Sequence, residues 1–376
     1  MRKLLAISAV TLTLFLLLSA AGCQADRAGR IVFLGPIEGQ NGSDIYSMNP
    51  DGSEQVLLAR WIPRWMPYHN VWSADGKTLA YIDSDNETET FWLSVVDGNG
   101  QNRRRVLDIT DLKMDSMALS PDGKTVILSL DSTRMRRIET PQGRTVHVEI
   151  TQDQDLDLFT VDVKTGELKR LTDTTGVMEK WPSYSPDGKQ ISFVGRIDTE
   201  REKNVPRDVF VMDADGGNRR HLAHHTEGLW FVLPELRWSP DGTKIAYIFY
   251  NVSLSDSEHY TDIFVIDVKK GGLTNLTNSP YTTDEEPSWS PDGRKIAFYS
   301  GTLTEGYRTI VMDIDSGNVT KLDQGLPSWT PDGKGLIFTN RLNVFELMVI
   351  NTDGKNPRTL AVSKDIRISK PIWLSE

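Results

Sequence analysis

The sequence predicts an all-β protein: a seven-bladed β-propeller of four-stranded antiparallel blades. Three observations carry that expectation. A Trp-Ser-Pro-Asp-Gly-like pentapeptide recurs along the chain, the segments after it are apolar at successive positions, and no stretch from Arg30 onward keeps a 3.6-residue apolar period. The pentapeptide occurs as Trp72–Gly76, Leu119–Gly123, Tyr184–Gly188, Trp238–Gly242, Trp289–Gly293 and Trp329–Gly333, its aspartates 47, 65, 54, 51 and 40 residues apart. Spacings of this size mark stacked repeats.

Each pentapeptide reads as a hairpin turn between strands A and B. Proline presets φ, and glycine takes the left-handed position at no steric cost. Strand B follows, as in Thr78–Ile82, Lys244–Ile248 and Lys295–Tyr299. Strand C comes after a gap of variable length, as in Asp208–Met212, Asp262–Ile266 and Thr309–Asp313. Apolar residues on both alternating faces mean burial on both sides. A second tight turn, such as Ala214–Gly217, Asp315–Asn318 or Thr352–Lys355, leads to a more polar strand D that often ends in Leu-Thr. Strand B begins seven times, at Ile31, Leu79, Val126, Ile191, Ile245, Ile296 and Leu336. Strand A has six internal copies. The seventh lies at Pro371-Ile372-Trp373, which matches Pro287-Ser288-Trp289, so the C-terminal strand is expected to pair with the N-terminal blade and leave no open joint.

Residues 1–22 read as a lipoprotein signal peptide: Arg2 and Lys3, then an apolar run from Leu4 to Leu18, then small residues. Ala20-Ala21-Gly22-Cys23 resembles a bacterial lipobox, which implies lipidation of Cys23, the one cysteine of the chain. Residues 23–29 would then be a tether of at most ~25 Å, and residues 30–376 the propeller. A propeller without cysteine has no disulfide and no thiolate-held metal. Without the leader the chain carries 40 basic and 52 acidic residues, a formal charge of −12. No basic stripe is present, so nucleic acid is not an expected partner.

The A–B and C–D turns are near minimal, whereas the B–C and D–A connections vary. Insertions are expected over Leu130–Asp155, with an extra hairpin around Thr140–Arg144, over Gly195–Pro206 and over Tyr250–Thr261. Long loops on a rigid scaffold are where binding residues concentrate. The expected binding residues are Trp61, Trp65, Tyr68 and His69 in one D–A connection, His224 and Trp230 in another, Arg196 in the fourth-unit insertion and Tyr260 in the fifth. Trp72, Trp238, Trp289, Trp329 and Trp373 occupy the repeat position and are expected in the core. Trp181 is read as preceding a strand A, and Trp92 as lying in a strand C. No Gly-x-Ser-x-Gly elbow or phosphate-binding glycine loop occurs. The acidic stretch Asp83–Glu89 lacks the glycine of a calcium loop. No catalytic residue, metal ligand set or cofactor is assigned.

The Ser-Pro-Asp-Gly turns, followed by Lys-x-Ile-x-Phe-like and Asp-x-Phe-Val-Met-Asp strands, resemble the TolB-like propellers (the WD40-like Pro-Asp repeat) across Arg30–Glu376. That resemblance implies a periplasmic or surface scaffold that binds proteins around the mouth of the ring. It departs in two ways: TolB carries an N-terminal α/β domain and six blades. The expectation is a monomeric, non-enzymatic module, lipid-anchored in the bacterial cell envelope, that engages an envelope protein or a cell-wall glycan through its long-loop face. The alternative is a propeller lyase or hydrolase acting on oligosaccharide with a metal at the channel mouth.

Overall fold

The computed structural model describes residues 29–36, 42–63, 71–85, 88, 90–131, 138–139, 145–146, 156–174, 177–197, 208–223, 231–232, 236–252, 259–279, 281–302, 304–322, 325–326, 328–340, 343–363 and 366–374. At some strand ends, Trp61 and Arg196 among them, only the backbone is described. All regular structure among these residues is β.

The strands fall into successive antiparallel units. The first holds β1 (Arg30–Pro36), β2 (Gly42–Met48) and β3 (Val56–Pro63). The next holds β4 (Val71–Trp72), β5 (Thr78–Asp85), β6 (Thr90–Asp97) and β7 (Arg104–Asp108). Then come β8 (Met114–Leu119), β9 (Thr125–Asp131), β12 (Leu156–Asp162) and β13 (Leu168–Arg170), with β10 (Ile138–Glu139) and β11 (Thr145–Val146) forming the extra hairpin around Thr140–Arg144. The following unit is β14 (Val177–Tyr184), β15 (Gln190–Ile197), β16 (Asp208–Asp213) and β17 (Arg220–Ala223). After it lie β18 (Phe231–Val232), β19 (Arg237–Trp238), β20 (Lys244–Val252), β21 (His259–Asp267) and β22 (Leu273–Asn275). The last units are β23 (Thr283–Trp289), β24 (Lys295–Thr302), β25 (Gly306–Asp313) and β26 (Val319–Leu322), then β27 (Ser328–Trp329), β28 (Gly335–Thr339), β29 (Glu346–Asn351) and β30 (Arg358–Val362). The final strand, β31 (Ser369–Leu374), runs antiparallel to β1, with Ile31 opposite Trp373. Neighbouring units also meet through single parallel bridges, Leu156 to Met178 and Thr261 to Thr283.

The pentapeptide builds the same turn each time. At Ser120 the carbonyl accepts from Gly123 N at 2.9 Å, while Ser120 Oγ donates to Asp122 Oδ1 at 2.8 Å and accepts from Thr125 N at 2.9 Å. Asp122 Oδ1 also accepts from Lys124 N at 3.1 Å. Gly123 sits at φ +71°, a conformation that closes a type I turn with a bulge and that a side chain would strain. In the other copies Ser73, Ser185, Ser239, Ser290 and Thr330 bond Asp75, Asp187, Asp241, Asp292 and Asp332 at 2.6–2.7 Å.

The turns also lock one unit to the next. Pro121 packs on Gly188, Pro186 on Gly242, Pro240 on Gly293 and Pro291 on Gly333. Behind them the tryptophans stitch adjacent A strands: Trp238 Nε1 donates to Ser183 O at 3.1 Å, Trp289 to Arg237 O at 2.9 Å and Trp329 to Ser288 O at 2.9 Å. These three rings are buried as expected, but Trp72 and Trp373 are only half-buried. Both lie where Leu374 of β31 meets Gly76 of the turn after β4, and they pack in one cluster and its neighbour around β1.

The B strands supply the core. Leu79, Ala80, Tyr81 and Ile82 are all at most 1% exposed, so successive residues are buried on opposite faces. Each large buried side chain of this kind contributes about 1.5–3 kcal/mol.

Three expectations are corrected. Trp181 does not precede the A strand but lies within β14, because the strand continues past a bulge. The two ends of the expected insertion Tyr250–Thr261 are strand: Tyr250, Asn251 and Val252 pair with Thr261, Tyr260 and His259. Likewise Gly195, Arg196 and Ile197 belong to β15, opposite Glu179, Met178 and Val177. In both cases the β-branched and aromatic residues of the hairpin arms extend the ladder before the chain turns.

Candidate binding rim

At the end of the strands away from the pentapeptide turns, strands A and C bring buried carboxylates together, among them Asp157, Glu179, Asp208 and Asp284. Two local devices position them. The first is a bulge in strand A. Trp181, Glu286 and Lys370 take φ values of +53°, +54° and +44°, each directly before a proline. The register shifts there, between Lys180 and Ser183 and between Glu285 and Ser288. Proline cannot donate to the ladder, so the preceding residue is pushed out of it. Lys370 Nζ meets Glu286 Oε1 at 3.0 Å, which links two such bulges 84 residues apart. Burial, and then Glu286, push the Glu285 carboxyl up, with Lys370 opposing.

The second device is the aspartate that precedes the apolar run of strand C. Asp157 Oδ2 accepts from Arg170 at 2.6 Å, Asp208 Oδ2 lies 2.9 Å from His221 Nε2, and Asp262 Oδ2 accepts from Asn275 at 3.0 Å. Asp262 Oδ1 also accepts from Ser279 N at 2.9 Å, so this carboxylate anchors the start of the D–A connection. The Asp-x-Phe strand pattern signals these residues in the sequence, but the sequence reading did not single them out.

Between β12 and β14 the carboxylates form a closed network. Glu179 is fully buried, accepts from Thr172 Oγ1, and pairs with Arg219 Nη1 at 2.5 Å. Arg219 also bonds Thr174 Oγ1 at 2.8 Å and lies over the Phe193 and Phe210 rings at 5.1 and 4.9 Å. Burial pushes the Glu179 carboxyl up, with Thr172 and Arg219 pulling against it. Lys180 and Asp115 add an ion pair at 2.6 Å.

Of the expected binding residues, Tyr260 is the one whose side chain is described. It lies in β21 opposite Asn251, half-buried, and meets Tyr281 edge-on with ring centroids 6.0 Å apart. Tyr281, in the D–A connection, is 71% exposed. The sequence reading did not select it. Trp61 lies in β3 and Arg196 in β15 by backbone, so both belong to strand ends instead of loops. Cys23, Trp65, Tyr68, His69, His224 and Trp230 lie outside the described residues. Trp92 lies in β6, as expected. Asp83 and Asp85 of the acidic stretch lie within β5, opposite Trp92 and Thr90. Among the described residues no group of three or more His, Cys, Asp or Glu side chains is disposed to hold a metal.

A family model described as a TolB beta propeller domain matches residues 197–341. Among curated proteins, an uncharacterised Agrobacterium fabrum protein is 26% identical over 60% of this chain and 82% of its own length. A Tol-Pal system protein TolB from Francisella tularensis is 24% identical over 64% of this chain. The match spans 58% of that relative. Among solved structures, an oligogalacturonate lyase from Vibrio parahaemolyticus superposes over 88% of this chain and 85% of its own, with a TM-score of 0.56 and 17% identity. The β-propeller domain of the Trilobed protease from Pyrococcus furiosus covers 90% of this chain and 96% of its own, with a TM-score of 0.57 and 10% identity. Likeness at these identities concerns the fold. The recurrent turns, the B and C strand signatures and the family match agree: the chain is an all-β protein of propeller type, similar to the TolB-like β-propellers.

Proposed function

We propose that this chain is a seven-bladed, lipid-anchored binding module of the bacterial cell envelope, and that its loop-side rim engages a protein partner. The ring is closed by β31 beside β1, and Cys23 holds the pentapeptide-turn face toward the bilayer. The observation that carries the reading is the contrast between the two ends of the strands. Pentapeptide turns interlock Pro on Gly from unit to unit, while the opposite ends extend unequally and present the Tyr260–Tyr281 pair. Tyrosine is a favoured anchor residue because it offers large, stiff contact area with a polar tip. The likeness to a Tol-Pal system protein supports an envelope setting.

Site-specific photocrosslinking tests it. A photoreactive residue at Tyr281 should yield one discrete protein adduct in cells, and the same group at Asp353, on a C–D turn, should yield none. An adduct from Asp353 alone would overturn the orientation, and saturable adducts with purified glycan instead of protein would overturn the partner class. Cys23→Ser should release the chain from the membrane fraction and abolish acyl labelling. The lyase-like fold neighbour keeps an enzymatic reading open to test: a stoichiometric transition metal in purified protein, with cleavage of acidic oligosaccharide, would replace the binding module.

A further inference from the structure

The junction between β21 and β23 repeats the one between β12 and β14, with its positive charges removed. Asp262 and Asp157 stand two residues before the phenylalanine of equivalent C strands, and Asp284 and Glu179 stand at equivalent places in strand A, three residues before the proline. Asn275 pairs with Phe264 as Arg170 pairs with Phe159, so an amide replaces one guanidinium. Val319 precedes the partner of Val311 as Arg219 precedes the partner of Val211, so an apolar side chain, 49% exposed, replaces the other. The β12–β14 junction sets two carboxylates against two guanidiniums. The β21–β23 junction sets two carboxylates against none, and no ion pair reaches Asp262 or Asp284 among the described residues.

A second observation points inward. Asp284 is fully buried, and its Oδ2 has no hydrogen-bond partner, while Oδ1 accepts a long bond from Thr282 Oγ1 at 3.3 Å and the Ser300 and Thr277 hydroxyls stand near the carboxyl. A desolvated carboxylate oxygen without a donor is costly, and natural interiors rarely leave one. Thr277 bonds Asp262 Oδ1 at 3.2 Å, and Ser300 stands opposite Asp284 in the ladder, so the surroundings are oxygen-rich.

We propose that this junction binds a hard divalent cation, calcium being the type, held by Asp262 and Asp284. The donors are all oxygens, which suits calcium over metals that prefer nitrogen or sulfur. Two carboxylates balance a double positive charge, as the two guanidiniums balance Asp157 and Glu179.

The test uses the full chain, stripped with chelator and titrated with calcium chloride. Calorimetry should show one site, and the melting temperature should rise by ~3 °C at saturating calcium. Asp284→Asn should abolish both effects. The double variant N275R/V319R, which restores the guanidiniums of the other junction, should remain folded, melt higher in chelator than the wild type, and no longer respond to calcium. Absence of stoichiometric binding, or binding that survives Asp284→Asn, would overturn the proposal.

Discussion

Two junctions of this molecule share a backbone plan and differ in charge. At β12–β14, Asp157 and Glu179 are each met by an arginine, and Thr172 closes the network. At β21–β23, Asp262 and Asp284 sit in the same frame with an amide and a valine where the arginines would be. The bridges match as well: Leu156 to Met178 in one, Thr261 to Thr283 in the other. The duplicated part is set by strand register and the bulge before proline. The divergent part is set by the D strands and the residue that leads into them, where a side chain can change without disturbing the backbone ladder. One junction is therefore a finished structural lock, and the other keeps a buried carboxylate that no guanidinium meets among the described residues.

The largest expected effect breaks the finished lock. Arg219→Ala leaves Glu179 buried with only Thr172 as partner, and removing one member of a buried pair costs about 3 kcal/mol. Denaturant unfolding should show that loss, and adding Glu179→Gln to the same chain should recover more than half of it. A loss under about 0.5 kcal/mol for Arg219→Ala would mean that the guanidinium is incidental. Next in size is the tryptophan stitch. Trp289→Phe keeps an aromatic ring but shortens it and removes the Nε1 donor to the Arg237 carbonyl, for about 1–2 kcal/mol. No change in unfolding midpoint would show that the Nε1 hydrogen bond does not couple these A strands.

Much of the scaffold was readable from residue order. The turns were legible because Ser, Pro, Asp and Gly each have one physical job at a fixed offset, and the strands because both of their faces had to be apolar. The ends of strands were not. Tyr250–Thr261 reads as a loop because asparagine, serines and acids sit inside it, yet Asn251 and Tyr260 pair, since a hairpin arm tolerates polar residues once its ladder has begun. Trp181 reads as outside strand A because the pairing skips it, a consequence of the proline that follows. The carboxylate networks escaped because their members lie 13 to 40 residues apart, and nothing local marks Arg219 as the partner of Glu179. Tyr281 escaped for a related reason: its partner Tyr260 lies 21 residues earlier, in β21.

The third effect in size reverses sign between the junctions. Glu179→Gln removes a paired charge and should destabilise, whereas Asp284→Asn, in chelator, removes an uncompensated one and should stabilise by about 1 kcal/mol. Equal signs in the two variants would erase the distinction between the sites.

The smallest effect is a pH dependence that separates two groups of carboxylates. Asp284 is pushed above its ordinary 3.8 by burial first, with the Ser300 and Thr277 hydroxyls pulling against it and Asp262 adding to the rise. The folded state therefore takes up its proton more readily than the unfolded chain, and ionising it costs stability. That cost is fully present above the raised folded value and fades as pH falls through it toward 3.8. The turn carboxylates run the other way. Asp122 is held below 3.8 by the Ser120 hydroxyl, and Asp187 by Ser185, each then by the lysine two residues on. Their contribution is complete above 3.8 and is lost as pH falls through the depressed folded values. In chelator, lowering the pH from about 7 to about 4 should thus relieve the wild type more than Asp284→Asn, while below about 3 both should lose stability in parallel. Unfolding midpoints across that range give the two slopes. Parallel slopes over the upper range would mean that Asp284 is already compensated within the fold, and the β21–β23 junction would then be as closed as its counterpart.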